Sequence, residues 1–166
     1  MILVAFGANL PSPQAGCAAW TIMRAQAALG ALPGLRVIAR SRLWQSAPDP
    51  PSDQPRYVNA VAAYAGDVGP EALLAALHAI EARFGRVRGA VNAARTLDLD
   101  LLDMDGMLRA APAPILPHPR LAGRAFVLFP LAEVAPGWHH PASGEGIAAL
   151  IARLPAEACV SCWPLA

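Results

Sequence analysis

Carboxylate and leucine side chains alternate strictly in the run Leu97-Asp98-Leu99-Asp100-Leu101. This alternation predicts a β-strand, because successive side chains of a strand point to opposite faces. The two carboxylates then share one face, roughly 6 to 7 Å apart. Mg²⁺ is held by one or two carboxylates and takes its other ligands from water and substrate phosphates. The pair therefore predicts an anchor for a metal-bound nucleotide; the alternative is a solvated strand face, for which Asp is a poor choice because it is depleted in strands.

Three arginines, Arg86, Arg88 and Arg95, lie in a segment of small residues that leads into this strand. Guanidinium groups bind oxyanions through two parallel hydrogen bonds, so the segment predicts a clamp for a polyphosphate. The alternative is a surface loop whose arginines pair with Asp or Glu. All 13 basic residues of the chain are arginines. A Walker-type phosphate loop is therefore excluded, because it needs a lysine.

An aromatic ring and an amide stand two residues apart, at Tyr57 and Asn59, directly after the proline-rich segment 45–56. Such a long segment is typical of a loop that is either functional or disordered. On a strand the two side chains share one face, where a flat ring and a bidentate amide suit a planar heterocycle. The alternative is a strand end with a solvent-facing Asn.

Composition and charge limit the class of protein. The 166 residues are about one domain's worth, so we expect a single domain over residues 1–166 with a peripheral tail over residues 155–166. A formal net charge of +1 disfavours a nucleic-acid partner. The apolar runs are short and the N-terminus lacks a basic region, so we expect no membrane partner and a cytoplasmic location. We expect the partners to be small-molecule substrates and the protein to be a monomer.

The elements that must position these residues follow from local patterns. Short apolar runs and strict alternation indicate strands, whereas apolar residues that repeat every three to four positions indicate helices. They predict strands over 1–6, 36–44, 57–64 and 125–131, and helices over 14–29, from Pro70 to Gly85, and over 146–154.

Four further signals are interpreted as structural. Cys17 is expected in the core of the first helix, and the lone pair Cys159 and Cys162 lacks the second pair that a zinc site needs. The run 103–106 predicts a turn with solvated acids. The adjacent residues His139 and His140 point apart if extended, which disfavours a metal site.

Five ordered motifs run through nearly the whole chain: Ala5-Phe6-Gly7-Ala8-Asn9-Leu10, Asp53-Gln54-Pro55-x-Tyr57-x-Asn59-Ala60, Ile80-Glu81-x(3)-Gly85-Arg86-Val87-Arg88, Arg95-Thr96-Leu97-Asp98-Leu99-Asp100, and Pro117-His118-Pro119-Arg120 followed by Arg124-Ala125-Phe126-Val127-Leu128. Together they resemble the 6-hydroxymethyl-7,8-dihydropterin pyrophosphokinases of folate biosynthesis. The resemblance implies an α+β, ferredoxin-like fold whose mostly antiparallel sheet is flanked by helices. It also implies transfer of pyrophosphate from the co-substrate ATP, with Mg²⁺, to a pterin hydroxymethyl group, with release of AMP.

The same resemblance implies roles for individual residues. Asp98 and Asp100 would hold two Mg²⁺ ions, and Arg86 and Arg95 would clamp the phosphate oxygens and stabilise charge during transfer. The implied ATP-binding positions are His78, Glu81, Arg88, Arg95, Leu101, His118 and Arg124. The implied pterin-binding positions are Ser46, Ala47, Asp49, Tyr57, Asn59 and Phe126.

The chain departs from the family pattern in the loop 89–94, which is one residue shorter than usual and carries no aromatic side chain. His78 replaces the usual Gln, Ser46-Ala47 replaces the usual Thr-Pro, and Asp49 stands where an apolar residue is common. Two other hypotheses remain at this point. One is a paralogue that binds pterin or nucleotide without turnover, and the other is a metal-dependent nuclease or nucleotidyltransferase that uses the same carboxylate pair.

Overall fold

The computed structural model describes residues 1–87, 93–156, 158 and 163–164. Arg88, most of the loop 89–94, and the two tail cysteines of the C-x-x-C pair lie outside these residues. In chain order the elements are β1 (Ile2–Ala8), α1 (Ala18–Gly30), β2 (Leu35–Arg40), β3 (Trp44–Ser46), β4 (Tyr57–Gly66), α2 (Pro70–Arg83), β5 (Asp98–Met104), a 3-10 helix (Leu121–Gly123), α3 (Ala125–Val134), α4 (Ile147–Ala152) and β6 (Trp163–Pro164).

The strands form one antiparallel sheet in the order β5-β1-β4-β3-β6, and β2 pairs with β4 beside β3. β1 is central, as its continuous apolar run predicts. The α+β class with a mostly antiparallel sheet and flanking helices is confirmed. None of the helices in the described part of the chain has the length and apolarity that crossing a membrane requires.

Apolar side chains cover both faces of the sheet. One face carries Leu97, Leu99 and Leu101 from the predicted alternating run and packs against α1 and α2. The other face packs against α3 and α4 through Leu128 and Leu150. The carboxylates of β5 therefore lie on the α3 side, because they alternate with the leucines of the opposite face.

The prediction of a strand over 125–131 is wrong, because these residues form the first part of α3. The apolar run is continuous, and a buried helix cannot be told from a buried strand by such a run alone. Val127, Leu128 and Leu131 are fully or almost fully buried at helical spacing. The amide groups of Val127 and Leu128 both donate to Arg124 O, which begins the helix.

The predicted single strand over 36–44 is divided into β2 and β3. Ser41 lies between them, where its hydroxyl accepts a hydrogen bond from Val61 N at 3.0 Å and its amide donates to Val61 O at 2.9 Å. The next residue, Arg42, turns outward to an ion pair with Glu133. Both β2 and β3 pair with β4, so the interruption keeps one strand partner while shifting the register.

Two smaller predictions are also wrong. Cys17 is exposed at the position that precedes α1, because the helix begins four residues after the predicted start. Asp103 is only 3% exposed and accepts a hydrogen bond from Trp138 Nε1 at 2.8 Å. The register between β1 and β5 shifts near this point and pairs Asp103 with Leu3, which turns the carboxylate toward the face that packs against α3 and α4, where Trp138 lies. The turn that follows is confirmed, with positive φ at Asp105 and Gly106.

Candidate active site

Strand register brings the predicted acid pair and the predicted heterocycle site to opposite sides of one glycine. Gly7 of β1 pairs with Asn59 of β4 and with Asp98 of β5. A Cβ atom on Gly7 would lie 3.6 Å from Asn59 Oδ1 and 3.9 Å from Asp98 Cβ. Ala5, two residues earlier on the same face, pairs with Asp100. Small side chains on the central strand therefore leave space between the amide and the two carboxylates.

The first cavity, of about 230 Å³, opens beside this row. All six residues that the resemblance assigns to pterin binding line it: Ser46, Ala47, Asp49, Tyr57, Asn59 and Phe126. Asn59 Nδ2 donates to Ser46 Oγ at 2.9 Å, which orients the amide. Phe126 comes from α3, whose Phe129 stacks on Trp44 of β3 with ring centroids 5.3 Å apart. This stacking helps to hold the first turn of α3 next to the cavity.

The second cavity, of about 640 Å³, lies between α2, β5 and the segment 113–120. Its lining includes four of the predicted ATP-binding residues that the first cavity lacks: His78, Glu81, Leu101 and His118. The two cavities share Arg86, Arg95, Asp98, Asp100 and Arg120. The acid pair and the arginines therefore form a wall common to both cavities.

Each carboxylate of the pair is matched by cationic or polar donors. Asp98 accepts hydrogen bonds from Arg86 and, at 2.6 Å, from Arg95 Nη1. Asp100 accepts from Arg124 Nη1 at 3.3 Å, and His118 Nε2 lies 3.8 Å from its other oxygen. The arginines thus lie next to β5, as the sequence predicts for Arg86 and Arg95.

Glu81 is buried in α2 and uses its carboxylate on protein partners. It accepts a hydrogen bond from Leu99 N at 2.8 Å and also bonds Arg86. Burial raises the pKa of Glu81, against the opposing effects of Leu99 N and Arg86. Burial acts to lower the pKa of Arg86, but Asp98 and Glu81 outweigh it and the pKa is raised. Arg86 is therefore held in its charged form between α2 and β5.

Burial also affects the ionisable groups around Asp100. It lowers the pKa of His118, an effect that Asp100 opposes and the charges of Arg124 and Arg120 reinforce. Burial lowers the pKa of Arg124 in the same way, again opposed by Asp100. Arg124 also lies 5.4 Å from the ring centroid of Phe126, within cation–π range. It therefore contacts both an acid of the pair and an aromatic of the first cavity.

The sequence predicted no role for Asn9, which is 5% exposed and connects the proline-rich segment 45–56 to Arg95. Its Nδ2 donates to Gln54 Oε1 at 3.1 Å and to Pro55 O at 3.2 Å, while its Oδ1 accepts from Arg95 N at 2.8 Å. Gln54 Oε1 also accepts from Tyr57 at 3.3 Å. Asn9 and Gln54 both belong to the ordered motifs of the chain, and this was the signal in the sequence that could have indicated a role for them.

The donor set fits magnesium. Among the residues that the structure describes there is no group of three or more His, Cys, Asp or Glu side chains that could enclose a metal. Asp98 and Asp100 offer the carboxylate oxygens that Mg²⁺ takes from protein when phosphates and waters supply the rest. The described residues of the shared wall therefore do not enclose a metal with protein ligands alone.

A sequence model of the 7,8-dihydro-6-hydroxymethylpterin-pyrophosphokinase (HPPK) family matches residues 3–136. The chain belongs to this family. A 2-amino-4-hydroxy-6-hydroxymethyldihydropteridine pyrophosphokinase of Pseudomonas aeruginosa is 43% identical over 159 residues, which cover 94% of this chain and 93% of the relative. One from Synechocystis is 44% identical over 114 residues, 68% of this chain and 56% of the relative.

Solved HPPK structures share the fold. An HPPK-DHPS crystal structure in complex with substrates aligns with a TM-score of 0.69 at 12% identity, over 91% of this chain and 42% of that one. The ferredoxin-like fold of the HPPK family is thereby confirmed for this chain. As a family member the chain is an ATP-dependent diphosphotransferase of folate biosynthesis. No finding favours the paralogue without turnover.

Proposed function

We propose that this chain transfers the terminal diphosphoryl group of ATP to the hydroxymethyl oxygen of 6-hydroxymethyl-7,8-dihydropterin. The hydroxymethyl oxygen attacks the β-phosphorus, the bond from that phosphorus to the oxygen bridging to the α-phosphate breaks, and AMP leaves. The hydroxyl proton passes to solvent. The observation that carries the proposal is the shared wall: two cavities meet at Asp98 and Asp100, so a donor in one faces an acceptor in the other.

In this proposal ATP occupies the second cavity. Arg95 of the shared wall would face its phosphates, and Arg124, which lines the first cavity only, would meet them beside Asp100, to which it donates a hydrogen bond. The other proposed contacts are His78, Glu81, Leu101 and His118, together with Arg88, which lies outside the described residues. Guanidinium groups suit this task because they keep their charge and bind phosphate oxygens in pairs. Arg86 and Arg95 would stabilise the charge that develops on the transferring group, a contribution that adds to positioning in phosphoryl transfer.

The pterin occupies the first cavity. Tyr57 and Phe126 offer aromatic surfaces for the heterocycle, and Asn59 offers its amide to the polar edge. Ser46, Ala47 and Asp49 complete the lining from the loop that begins with β3. Because no protein nucleophile is needed, the chain would act chiefly by holding donor and acceptor in line.

Asp98 and Asp100 would hold two Mg²⁺ ions. When bound, the metal neutralises phosphate charge and makes the β-phosphorus a better electrophile. The arginines that now bond the two carboxylates would move part of their hydrogen bonding to phosphate oxygens.

The direct test is AMP formation by the purified chain with MgATP and 6-hydroxymethyl-7,8-dihydropterin. We expect AMP and the pterin diphosphate in equal amounts. AMP at the level of a protein-free blank, at high protein concentration, would reject the proposal. Tight binding of both ligands by calorimetry without AMP would instead support the paralogue without turnover.

We also propose that residues 1–166 act as one domain and as a monomer in the cytoplasm. Light scattering coupled to size-exclusion chromatography tests the monomer, because a dimer would double the measured mass.

A further inference from the structure

The cationic side chain of Arg120 differs from the two other arginines of the shared wall, Arg86 and Arg95, and from Arg124 of the first cavity. Arg86 and Arg95 bond Asp98, and Arg124 bonds Asp100. Within the described part of the chain, the guanidinium of Arg120 makes no hydrogen bond or ion pair, although it lines both cavities. The positive charge of Arg120 acts on its neighbours, because it lowers the pKa values of His118 and Arg124.

The backbone that carries Arg120 is anchored on both sides. Arg120 N donates to His118 Nδ1 at 3.2 Å, and His118 N in turn donates to Leu102 O of β5 at 2.8 Å. The following residue, Leu121, is fully buried. The Arg120 residue itself is exposed. An exposed cation thus projects from a fixed backbone at the junction of the two cavities.

The charge balance of the shared wall, together with Glu81 of the second cavity and Arg124 of the first, explains why such a group matters. Three acids, Glu81, Asp98 and Asp100, are matched by Arg86, Arg95 and Arg124. Each of those arginines must give up a carboxylate before it can bond a phosphate with the same donor. Asp49 also lines the first cavity, and among described residues it forms no ion pair with Arg120. Arg120 can therefore bind an anion without first breaking an ion pair.

We infer that Arg120 is a substrate-binding residue that contacts the diphosphoryl group as it passes from the nucleotide cavity to the acceptor cavity. The inference rests on the proposed function for the identity of that group. The arginine fork would bond the nonbridging oxygens of the β- and γ-phosphates. AMP lacks those oxygens and would gain nothing from Arg120.

The experiment compares Arg120→Gln with Arg120→Lys and with Arg36→Gln. Arg36 is an exposed arginine of β2 that lines neither cavity, so it controls for the loss of one surface charge. Calorimetry with Mg²⁺ measures the affinity for AMP and for an ATP analogue with a methylene group between the α- and β-phosphorus. These measurements need no turnover. Thermal unfolding checks that each variant is folded.

We expect Arg120→Gln to weaken binding of the analogue by about 10- to 100-fold and to leave the AMP affinity unchanged, as loss of a hydrogen bond to a charged group predicts. Arg120→Lys should recover part of the loss, and kcat/KM should fall in parallel. Equal analogue affinities for Arg120→Gln, Arg36→Gln and the wild type would overturn the inference. Equal losses for AMP and the analogue would also overturn it. If the wild type forms no AMP, the proposed function fails while the binding comparison still decides the role of Arg120.

Discussion

At the scale of single residues, Asp98 joins two arginines of the shared wall. Its two oxygens accept from Arg86 and Arg95, and it pairs across Gly7 from Asn59. The two guanidinium groups neutralise the Asp98 carboxylate. In the proposed complex with a metal-bound polyphosphate, the carboxylate and the guanidinium groups would each gain a partner of opposite charge.

Replacing Asp98 by Asn tests this role. The amide keeps the shape but loses the charge that would hold Mg²⁺, so we expect kcat to fall by about 100-fold or more. The carboxylate is partly exposed, with 27% of the side chain accessible, so the loss of stability should be small. AMP formation and the thermal midpoint are the measurements.

The matched control is Asp67→Asn, an exposed acid in the turn between β4 and α2. It should keep wild-type turnover. Near-normal turnover of Asp98→Asn would contradict the metal assignment, and the same loss in both variants would show that the effect is not local.

At the scale of elements, β4 determines how the sheet is assembled. It pairs with β1, β2 and β3, and its first residues supply Tyr57 and Asn59 to the first cavity. Its other end closes against the turn before β2, where a Cβ atom on Gly66 would lie 2.1 Å from Gly34 O. Real Cβ atoms do not approach a backbone oxygen so closely, so the close contact requires glycine at position 66.

Gly66→Ala should therefore destabilise the protein. The added methyl group must push apart β4 and the turn at Gly34, which costs about 1 to 3 kcal/mol in a well-packed region. Urea unfolding measures the change in the free energy of unfolding. Gly137→Ala is the control, because an added Cβ there meets no atom within 4 Å. An equally stable Gly66→Ala protein would contradict the predicted clash.

At the scale of the whole molecule, folding places an ionisable ring where water is largely excluded. His118 is held to β5 by its amide and lies 3.8 Å from Asp100. Burial lowers its pKa from the usual value of 6.5. The unfolded chain therefore binds a proton more readily than the folded protein does, so falling pH favours unfolding through this residue.

The predicted pH dependence follows from that sign. The contribution of His118 to stability is fully present above about pH 6.5, where both states are neutral, and is lost as the pH falls through the lower pKa of the folded state. The free energy of unfolding of the wild type should thus drop more steeply between pH 8 and pH 5 than that of His118→Gln. Urea titrations at several pH values measure both slopes. Parallel slopes would contradict the burial argument.

Local patterns in the sequence were sufficient for much of the fold and of the site. The alternation around Asp98 and Asp100 predicted β5 and its two faces correctly, because a strand's side-chain period is set by its own backbone. α2 was predicted between Pro70 and Gly85 because proline and glycine mark helix ends locally. The residue types at the shared wall followed from the ordered motifs and from the resemblance they carry.

Tertiary structure decided what depends on pairing between distant segments. The run 125–131 became a helix because the face of the sheet that it covers offers packing and no strand partner. The shift of register near Leu3 buried Asp103 under Trp138, and strand order placed Asn59 and Asp98 on either side of Gly7. None of these outcomes can be predicted from neighbouring residues alone. Hydrogen bonds between strands and packing between layers join parts of the chain that are far apart in sequence.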